Sequence, residues 1–329
     1  MMQSTLIIGA GLAGLLAAQT LQAAGVAVTV LDKARGVGGR LATRRLTDAN
    51  GQTIGRFDHG AQYFTARDLR FVALVEEWLA AGVIKVWADG FNTPAGPKPD
   101  NLTRYCGTEG MTSLAKHLAQ GLTILTSTQV NAIWQAANGY RATTADGQSF
   151  SAGSLLLTPP AEQSLTLLAN GDLQLPPDVT TALSAIQFAP CFAVLAQLAG
   201  PSKIPAPGGL WPNDGTLFWL GDNAQKGISA TPAVTIHATP AFTEAHFELD
   251  RDEVGQKLIA AAGPWLGSPV IGYQVHRWRY SIPTQLHPEP YLWLQQSPPL
   301  LAAGDAFAGP RVEGAALSGL AVAEALLRS

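Results

Sequence analysis

The chain has 329 residues, of which 47% are hydrophobic and 14% are charged, and its formal net charge is −3. This apolar content can fill a sizeable core and excludes a largely disordered chain, while the length is typical of about two domains. The small negative charge provides no basic excess for phosphates, so nucleic acid is excluded as the main partner.

The first 32 residues predict a strand, a helix and a second strand. Thr5–Ile8 is a short apolar run, and Leu12–Ala24 is rich in the helix formers Ala, Leu and Gln. Gly25 is placed to end that helix, and Val26–Leu31 follows as a second buried strand. The segment therefore predicts a β-α-β unit.

The same segment is also long enough for a membrane span, because no charged residue lies between Leu6 and Leu31. A signal peptide would need basic residues before the apolar run, and the first five residues have none. The glycines within the segment favour the folded unit, so we expect no membrane partner.

Residues 33 to 170 predict a mixture of short strands and helices. Asn50-Gly51 and Asp146-Gly147 are typical hairpin turns, whereas the prolines and glycine of Ala95–Asp100 predict a loop. The predicted helices are 68–81, 110–119 and 161–168, and the predicted strands are 41–46, 53–58, 122–126, 130–134, 140–144 and 154–158.

From about Gly171 the sequence changes character. Prolines and glycines recur at short intervals up to Leu300, and five of the eight tryptophans lie in this region. Strand-like runs at 192–197, 216–220 and 233–237, with one helix at 253–262, predict a mainly antiparallel sheet. A short strand at 300–303 and an Ala/Leu-rich helix at 314–327 end the chain.

Gly9, Gly11 and Gly14 form a G-x-G-x-x-G spacing between the first strand and the first helix. In such a turn the first glycine allows the tight bend, the second lets a pyrophosphate approach the backbone, and the third allows close helix–strand packing. Asp32, at the end of the second strand, can accept hydrogen bonds from ribose hydroxyls. The alternative is a tight packing turn, but that turn would not require the acidic residue.

Two further motifs carry glycine and charge. Gly36, Gly38 and Gly39 precede Arg40, so this loop can pass close to a bulky cofactor while the arginine pairs with phosphate; the alternative is a surface loop with a solvated arginine. Near the C-terminus, Gly304-Asp305 follows a short strand and precedes a helix whose positive end can support negative charge.

Together these segments resemble known FAD-binding signatures. Thr5–Asp32, Gly36–Arg40 and Gly304–Asp305 are similar to those of the flavin amine oxidase superfamily. Within it, the chain resembles the renalase family and its bacterial members through the motifs Phe57–Phe64, His276–Ser281, Ala303–Phe307 and Gly314–Gly319.

The resemblance implies an α/β fold like that of p-hydroxybenzoate hydroxylase, in which a Rossmann-type FAD-binding domain is capped by a mainly antiparallel substrate domain. We expect the FAD-binding domain to comprise residues 1–66, 105–170 and 291–329, and the cap to comprise 67–104 and 171–290. The resemblance implies that FAD contacts Gly9, Gly11, Leu12, Ala13, Gly14, Asp32, Lys33, Gly39, Arg40, Gly60, Ala61, Gln62, Val130, Thr158, Gly304, Asp305, Glu313, Gly314 and Ala315.

The resemblance assigns parts of FAD to some of these residues. Asp32 would meet the adenosine ribose, Arg40 a phosphate or the flavin, and Asp305 the ribityl chain or pyrophosphate. The backbone near Val130 would meet adenine, and that of Glu313–Ala315 the pyrimidine edge of the ring. Some members of the superfamily hold flavin through a cysteine near the C-terminus. No cysteine follows Cys191, so we expect non-covalent FAD.

A substrate pocket over a flavin is mostly apolar with a few polar groups. Candidate walls are Tyr63, Trp278 and Tyr280, and candidate polar groups are His59, Gln62 and His276, although aromatic residues in a sheet and lone histidines are more often structural. Arg277 and Arg279 alternate with Trp278, so their face of the strand is either basic for an anionic substrate or simply solvated.

Renalase-like enzymes oxidise 2- and 6-dihydro isomers of NAD(P) and pass the electrons to O2 as H2O2, so the resemblance implies this activity. The alternatives are an amine oxidase or desaturase and, outside enzymes, a dinucleotide-binding sensor. The six scattered histidines predict no metal site, and no G-x-S-x-G motif points to a hydrolase. Two cysteines without a disulfide framework fit a cytoplasmic location, and the oligomeric state is left open.

Overall fold

The computed structural model describes residues 4–48, 50–212, 214–307 and 309–329. The helices are α1 (Leu12–Ala23), α2 (Leu69–Ala80), α3 (Thr112–Leu118), α4 (Ala161–Asn170), α5 (Pro177–Ser184), α6 (Pro240–Ala245), α7 (Arg251–Leu266) and α8 (Arg311–Leu327). The strands are β1 (Ser4–Ile8), β2 (Ala27–Leu31), β3 (Thr43–Thr47), β4 (Thr53–Asp58), β5 (Ile84–Thr93), β6 (Gly96–Gly107), β7 (Ile124–Leu125), β8 (Val130–Ala136), β9 (Gly139–Thr144), β10 (Ser149–Ala152), β11 (Ser154–Leu157), β12 (Gln187–Leu198), β13 (Gly209–Leu210), β14 (Leu217–Asp222), β15 (Ala233–Ala238), β16 (Val270–Gln285), β17 (Leu292–Gln295) and β18 (Leu300–Ala302).

The first sheet has the strand order β17-β18-β11-β1-β2-β7. Strand β1 lies between β2 and β11 and pairs with both in parallel. Its residues Leu6, Ile7 and Ile8 are buried, as expected for a parallel strand covered on both faces. The predicted β-α-β unit is therefore confirmed, and with it the mixed α/β fold.

Helix α8 brings the C-terminal end of the chain against α1. The contact is so close that a Cβ on Gly319 would lie 2.4 Å from the carbonyl oxygen of Ala13. Because a side chain at position 319 would push the two backbones apart, glycine allows α8 to pack directly behind the first turn of α1. The two ends of the chain thus meet at the G-x-G-x-x-G turn.

The second sheet has the strand order β16-β12-β15-β14-β13-β5-β6. One face is covered by α7, whose Val254 and Leu258 are buried with Val234 and Ile236 of β15. Since side chains alternate between faces along a strand, Thr235 and His237 point the other way. There they contact the backbone that follows β4, so this second face covers the segment in which the site residues cluster.

The prediction of a loop at Ala95–Asp100 is wrong beyond its first residue. Only residues 94 and 95 form the turn of a hairpin, and β6 begins at Gly96 and pairs with β5. Strand β6 is at the edge of its sheet, where a residue without a backbone N–H costs no ladder hydrogen bond. That position explains how Pro97 and Pro99 can belong to a strand.

The division of the chain into a cofactor domain and a cap remains a proposal, with the second sheet as the main part of the cap. Two segments assigned to the cap pack instead with elements of the first sheet. Phe71 of α2 is in the same core as Ile7. Leu183 and Ile186 are in the core that contains Leu155.

Candidate functional site

The G-x-G-x-x-G turn has the geometry that its spacing predicts. Gly9 has φ +105°, which favours glycine, and a Cβ on Gly14 would lie 2.1 Å from the Gly9 carbonyl oxygen. A Cβ on Gly11 would meet no protein atom within 4 Å. Gly11 also precedes the first turn of α1, and no side chain caps the N–H groups of that turn.

Asp32 fixes the shape of the turn. One carboxylate oxygen accepts a hydrogen bond from the Ala10 N–H and the other from the Ala34 N–H, both at 2.7 Å. The backbone of Asp32 also accepts from the Thr128 N–H at 2.9 Å, which places the segment before Val130 beside it. Each carboxylate oxygen keeps a lone pair for a ribose hydroxyl.

The glycine loop and the C-terminal Gly-Asp motif meet through an ion pair. Arg40 donates two hydrogen bonds to the carboxylate of Asp305, both at 2.7 Å, and a third to the Ser281 carbonyl at 3.2 Å. The loop itself is tied to the first motif, because the Gly38 N–H donates to the Ala10 carbonyl. The two residues predicted to contact phosphate or ribityl groups thus also orient each other.

The other predicted contact residues of this region have visible structural roles. The Thr158 hydroxyl donates to the Ile8 carbonyl at 2.9 Å and lies against Gly9. The Lys33 ammonium donates to Gln163 at the surface. Glu313, in the first turn of α8, accepts from the N–H groups that precede α2 at 2.8 and 2.6 Å.

The segment Asp58–Tyr63 packs against the second sheet, and side chains hold its carbonyl groups. Thr235 donates to the Asp58 carbonyl at 2.9 Å, and Trp278 donates to the His59 carbonyl at 2.8 Å. The Gln62 side-chain amide donates back to the Asp58 and Gly60 carbonyls. A Cβ on Gly60 would lie 2.1 Å from the Arg40 carbonyl oxygen, so the segment also packs directly on the glycine loop. We call it the interface turn.

Three histidines surround one end of the interface turn. His59 stacks on Trp278 with ring centroids 5.3 Å apart, and His276 meets both rings edge-on. Nε2 of His237 lies 3.2 Å from the His59 carbonyl oxygen. Burial lowers the pKa of His59 to about 3 and the pKa values of His237 and His276 to about 4. All three imidazoles are therefore neutral at pH 7.

The neutral histidines predict a loss of stability in mild acid. In the unfolded chain they have the ordinary pKa of 6.5 and take up protons that the folded state resists, so the free energy of unfolding should fall as pH drops from 6.5 toward 4. Between about pH 7 and pH 5 we expect the free energy of unfolding to fall by about 2 kcal/mol for each of the two buried residues His59 and His237. Thermal unfolding across this range measures the effect. His237→Asn should flatten the curve, and equal slopes for this variant and the wild type would contradict the assignment.

Aromatic side chains surround the other end of the interface turn. Tyr63 lies 4.9 Å from Phe91 and 5.7 Å from Trp219, measured between ring centroids. Trp87 and Trp211 complete the group, and both are partly exposed. Burial is the main cause that raises the pKa of Tyr63. These five rings form an apolar cluster, which we call the aromatic wall.

The structure brings most of the candidate pocket residues to the interface turn. His59, His276 and Trp278 meet at one end, and Gln62 and Tyr63 lie at the other. Tyr280 lies apart from both groups, beside Phe188. The prediction that Arg277 and Trp278 point to opposite faces is confirmed. Arg277 and Arg279 lie over the ring of Phe247, away from the interface turn, so they do not form a basic wall beside Trp278.

The sequence analysis did not single out Asp58, Lys226, His237 or Trp219 as site residues. Asp58 lies inside the motif Phe57–Phe64, so the motif was a signal that could have drawn attention to its carboxylate. Lys226, His237 and Trp219 come from the region after Gly171, in segments without a spacing that marks a site. Their contacts depend on how the second sheet packs against the interface turn, and no local sequence pattern predicts this packing.

Comparison with models of protein families identifies the family to which the chain belongs. A model described as an NAD(P)-binding Rossmann-like domain matches residues 7–78, the segment that contains the glycine turn and Asp32. A model described as flavin containing amine oxidoreductase matches residues 77–327, about three quarters of the chain. The chain belongs to the flavin-containing amine oxidoreductase family. It is an FAD-dependent oxidoreductase, and FAD is its cofactor.

Solved structures agree with the fold of this family. An Exiguobacterium sp. 255-15 structure assigned as a protoporphyrinogen oxidase has a TM-score of 0.74 at 16% identity, with 100% of each chain covered. Putrescine oxidase bound to putrescine has a TM-score of 0.71 at 14% identity, also over 100% of each chain. At these identities the likeness concerns the fold.

The residues present fit FAD. The glycine turn leaves open space in front of the uncapped first turn of α1, where a diphosphate can accept N–H hydrogen bonds. The first turn of α8 likewise has no side-chain cap. We propose that Asp32 holds the adenosine ribose and that Arg40 with Asp305 borders the diphosphate and ribityl chain. Gly60 to Gln62 and the backbone of Glu313 to Ala315 would border the ring.

Across the ranges that the structure describes, no helix combines the length and the apolar character needed to cross a membrane.

Proposed function

We propose that this enzyme is a flavin oxidase of the renalase type. It would take hydride from 2- or 6-dihydro isomers of NAD(P) and leave the aromatic nicotinamide. O2 would receive the two electrons and, with two protons, form H2O2. The proposal refines the family assignment, which establishes an FAD-dependent oxidoreductase, by naming the substrate class.

The charge at the interface turn supports this proposal. His59, His237 and His276 are neutral. Two cations lie beside the aromatic wall, Arg104 over Tyr63 and Phe91 and Lys226 over Trp87, and each is paired with a carboxylate, that of Asp100 or Asp58. The carboxylate of Asp58 is buried and paired with the Lys226 ammonium at 2.5 Å, so it cannot pair with a substrate. A neutral, planar dihydronicotinamide ring suits this surface, whereas a protonated amine would lack a carboxylate partner there.

The chain's own residues would bind and orient the substrate. Bound FAD supplies the hydride acceptor, so the protein needs to hold the substrate ring flat and to exclude water. Tyr63 and the partly exposed Trp87 and Trp211 provide stacking surfaces. Because the histidines are neutral, they add no positive charge that would oppose departure of hydride and formation of the nicotinamide cation.

The experiment is anaerobic reduction of the bound flavin, followed by its visible absorbance. The panel contains 2- and 6-dihydro-NAD, the corresponding NADP isomers, ordinary NADH, putrescine and two monoamines. We expect rapid bleaching with the 2- and 6-dihydro isomers and, after air is admitted, one H2O2 for each substrate oxidised. Bleaching by an amine but by none of the dihydronicotinamides would overturn the proposal in favour of amine oxidation.

A further inference from the structure

A fully buried ion pair joins the interface turn to the second sheet. Asp58 and Lys226 have side chains that are 0% and 1% exposed, and their charged atoms are 2.5 Å apart. The second oxygen of Asp58 accepts from the Thr43 hydroxyl at 2.5 Å and from the Met111 N–H at 2.8 Å. The carboxylate is thus held by β3, by the segment before α3 and by the loop after β14.

Lys226 has two further contacts besides Asp58. Its ammonium donates to the carbonyl of Gln62, which immediately precedes Tyr63 in the aromatic wall. It also lies 4.7 Å from the centroid of the Trp87 ring. One side chain from the loop after β14 therefore contacts both the backbone of the interface turn and the aromatic wall.

Stability alone does not account for this pair. Desolvation of two charges offsets much of their attraction, and buried ion pairs can often be replaced by apolar residues without loss of stability. Because neither charge reaches solvent, the pair cannot attract or bind a substrate. The pair does fix the orientation of the lysine side chain. Because its ammonium points at the carboxylate, its remaining N–H groups are directed at Gln62 and Trp87.

We propose that Lys226 is a positioning residue for the reaction at the flavin. Asp58 holds its ammonium in place, and the ammonium holds the Gln62 carbonyl. The backbone from Gly60 to Tyr63 then keeps one orientation beneath the second sheet. Through this contact Lys226 sets the distance between the aromatic wall and the flavin ring, although it touches neither substrate nor FAD.

The test separates positioning from stability with two variants. Lys226→Met leaves the Asp58 carboxyl buried without its partner, so we expect a large fall in Tm. Asp58→Asn combined with Lys226→Met removes that isolated carboxyl and should recover most of the Tm. The hydrogen bond to the Gln62 carbonyl is absent from both variants. Both should therefore reduce flavin about tenfold more slowly at saturating substrate, and both should show altered visible circular dichroism of the bound flavin.

Tyr140→Phe is the matched control. It removes a buried hydroxyl that donates to the Pro298 carbonyl at 2.7 Å, far from the interface turn. We expect a lower Tm with an unchanged reduction rate and an unchanged circular dichroism band. If the double variant recovers the wild-type rate and band together with the Tm, Lys226 is only structural and the proposal is wrong.

The circular dichroism measurement does not depend on the identity of the substrate. If no compound of the panel reduces the wild type, the proposed substrate class fails, and the spectra of the two variants still decide the role of Lys226. A wild-type spectrum in both variants would overturn it.

Discussion

Gly11→Val should fold normally and fail to retain FAD. A Cβ at this position meets no protein atom within 4 Å, so the added side chain has room in the protein. The same side chain would occupy the space in front of α1, where we propose that the diphosphate accepts hydrogen bonds from the backbone. Loss of two hydrogen bonds to a charged group costs about 3 kcal/mol or more, which corresponds to at least about a hundredfold weaker binding.

The measurement is FAD titration of the apoprotein, followed by quenching of flavin fluorescence, together with the Tm of the apoprotein. Gly272→Val is the matched control, because a Cβ on Gly272 also meets nothing within 4 Å and the residue lies in β16, away from the glycine turn. It should bind FAD as the wild type does. If Gly11→Val binds FAD equally well, the turn is not the diphosphate site.

Gly319→Ala should destabilise the protein, and Gly263→Ala should not. Both glycines lie in helices, where alanine is intrinsically favoured by about 1 kcal/mol. At Gly319 the new methyl would lie 2.4 Å from the Ala13 carbonyl oxygen and 2.9 Å from the Ala13 Cα, so α8 must move away from α1. We expect a net loss of about 1–3 kcal/mol, as for an overpacked core.

Gly263 provides a contrast within the same chain. A Cβ there meets no atom within 4 Å other than its chain neighbours, but Pro264 follows and disfavours the helical conformation for a residue with a Cβ, so Gly263→Ala should change the free energy of unfolding by less than about 1 kcal/mol. Urea unfolding of the two variants measures the difference. Because α1 also carries the diphosphate turn, Gly319→Ala should weaken FAD binding too. Equal free energies of unfolding for the two variants would show that the close packing of α1 and α8 does not contribute to stability.

The sequence was most informative where a function needs a local backbone shape. The glycine turn, its helix and Asp32 lie within one β-α-β unit, so their spacing along the chain records their geometry. The prolines of Ala95–Asp100 show the limit of this local reasoning. Proline excludes a central strand but not an edge strand, and the sequence does not say which strands lie at an edge.

The tertiary structure alone decided which distant side chains meet. Arg40 and Asp305 pair across 265 positions of the chain, and Asp58 and Lys226 across 168. The pKa of His59 falls to about 3 mainly because two strands of the second sheet bury it beside His237 and His276. The contacts of Asp58 and His59 follow from the packing of the second sheet against the interface turn. Composition and spacing determined the glycine turn by themselves, because its residues are neighbours in sequence. The proposed substrate surface is made of residues that only folding brings together.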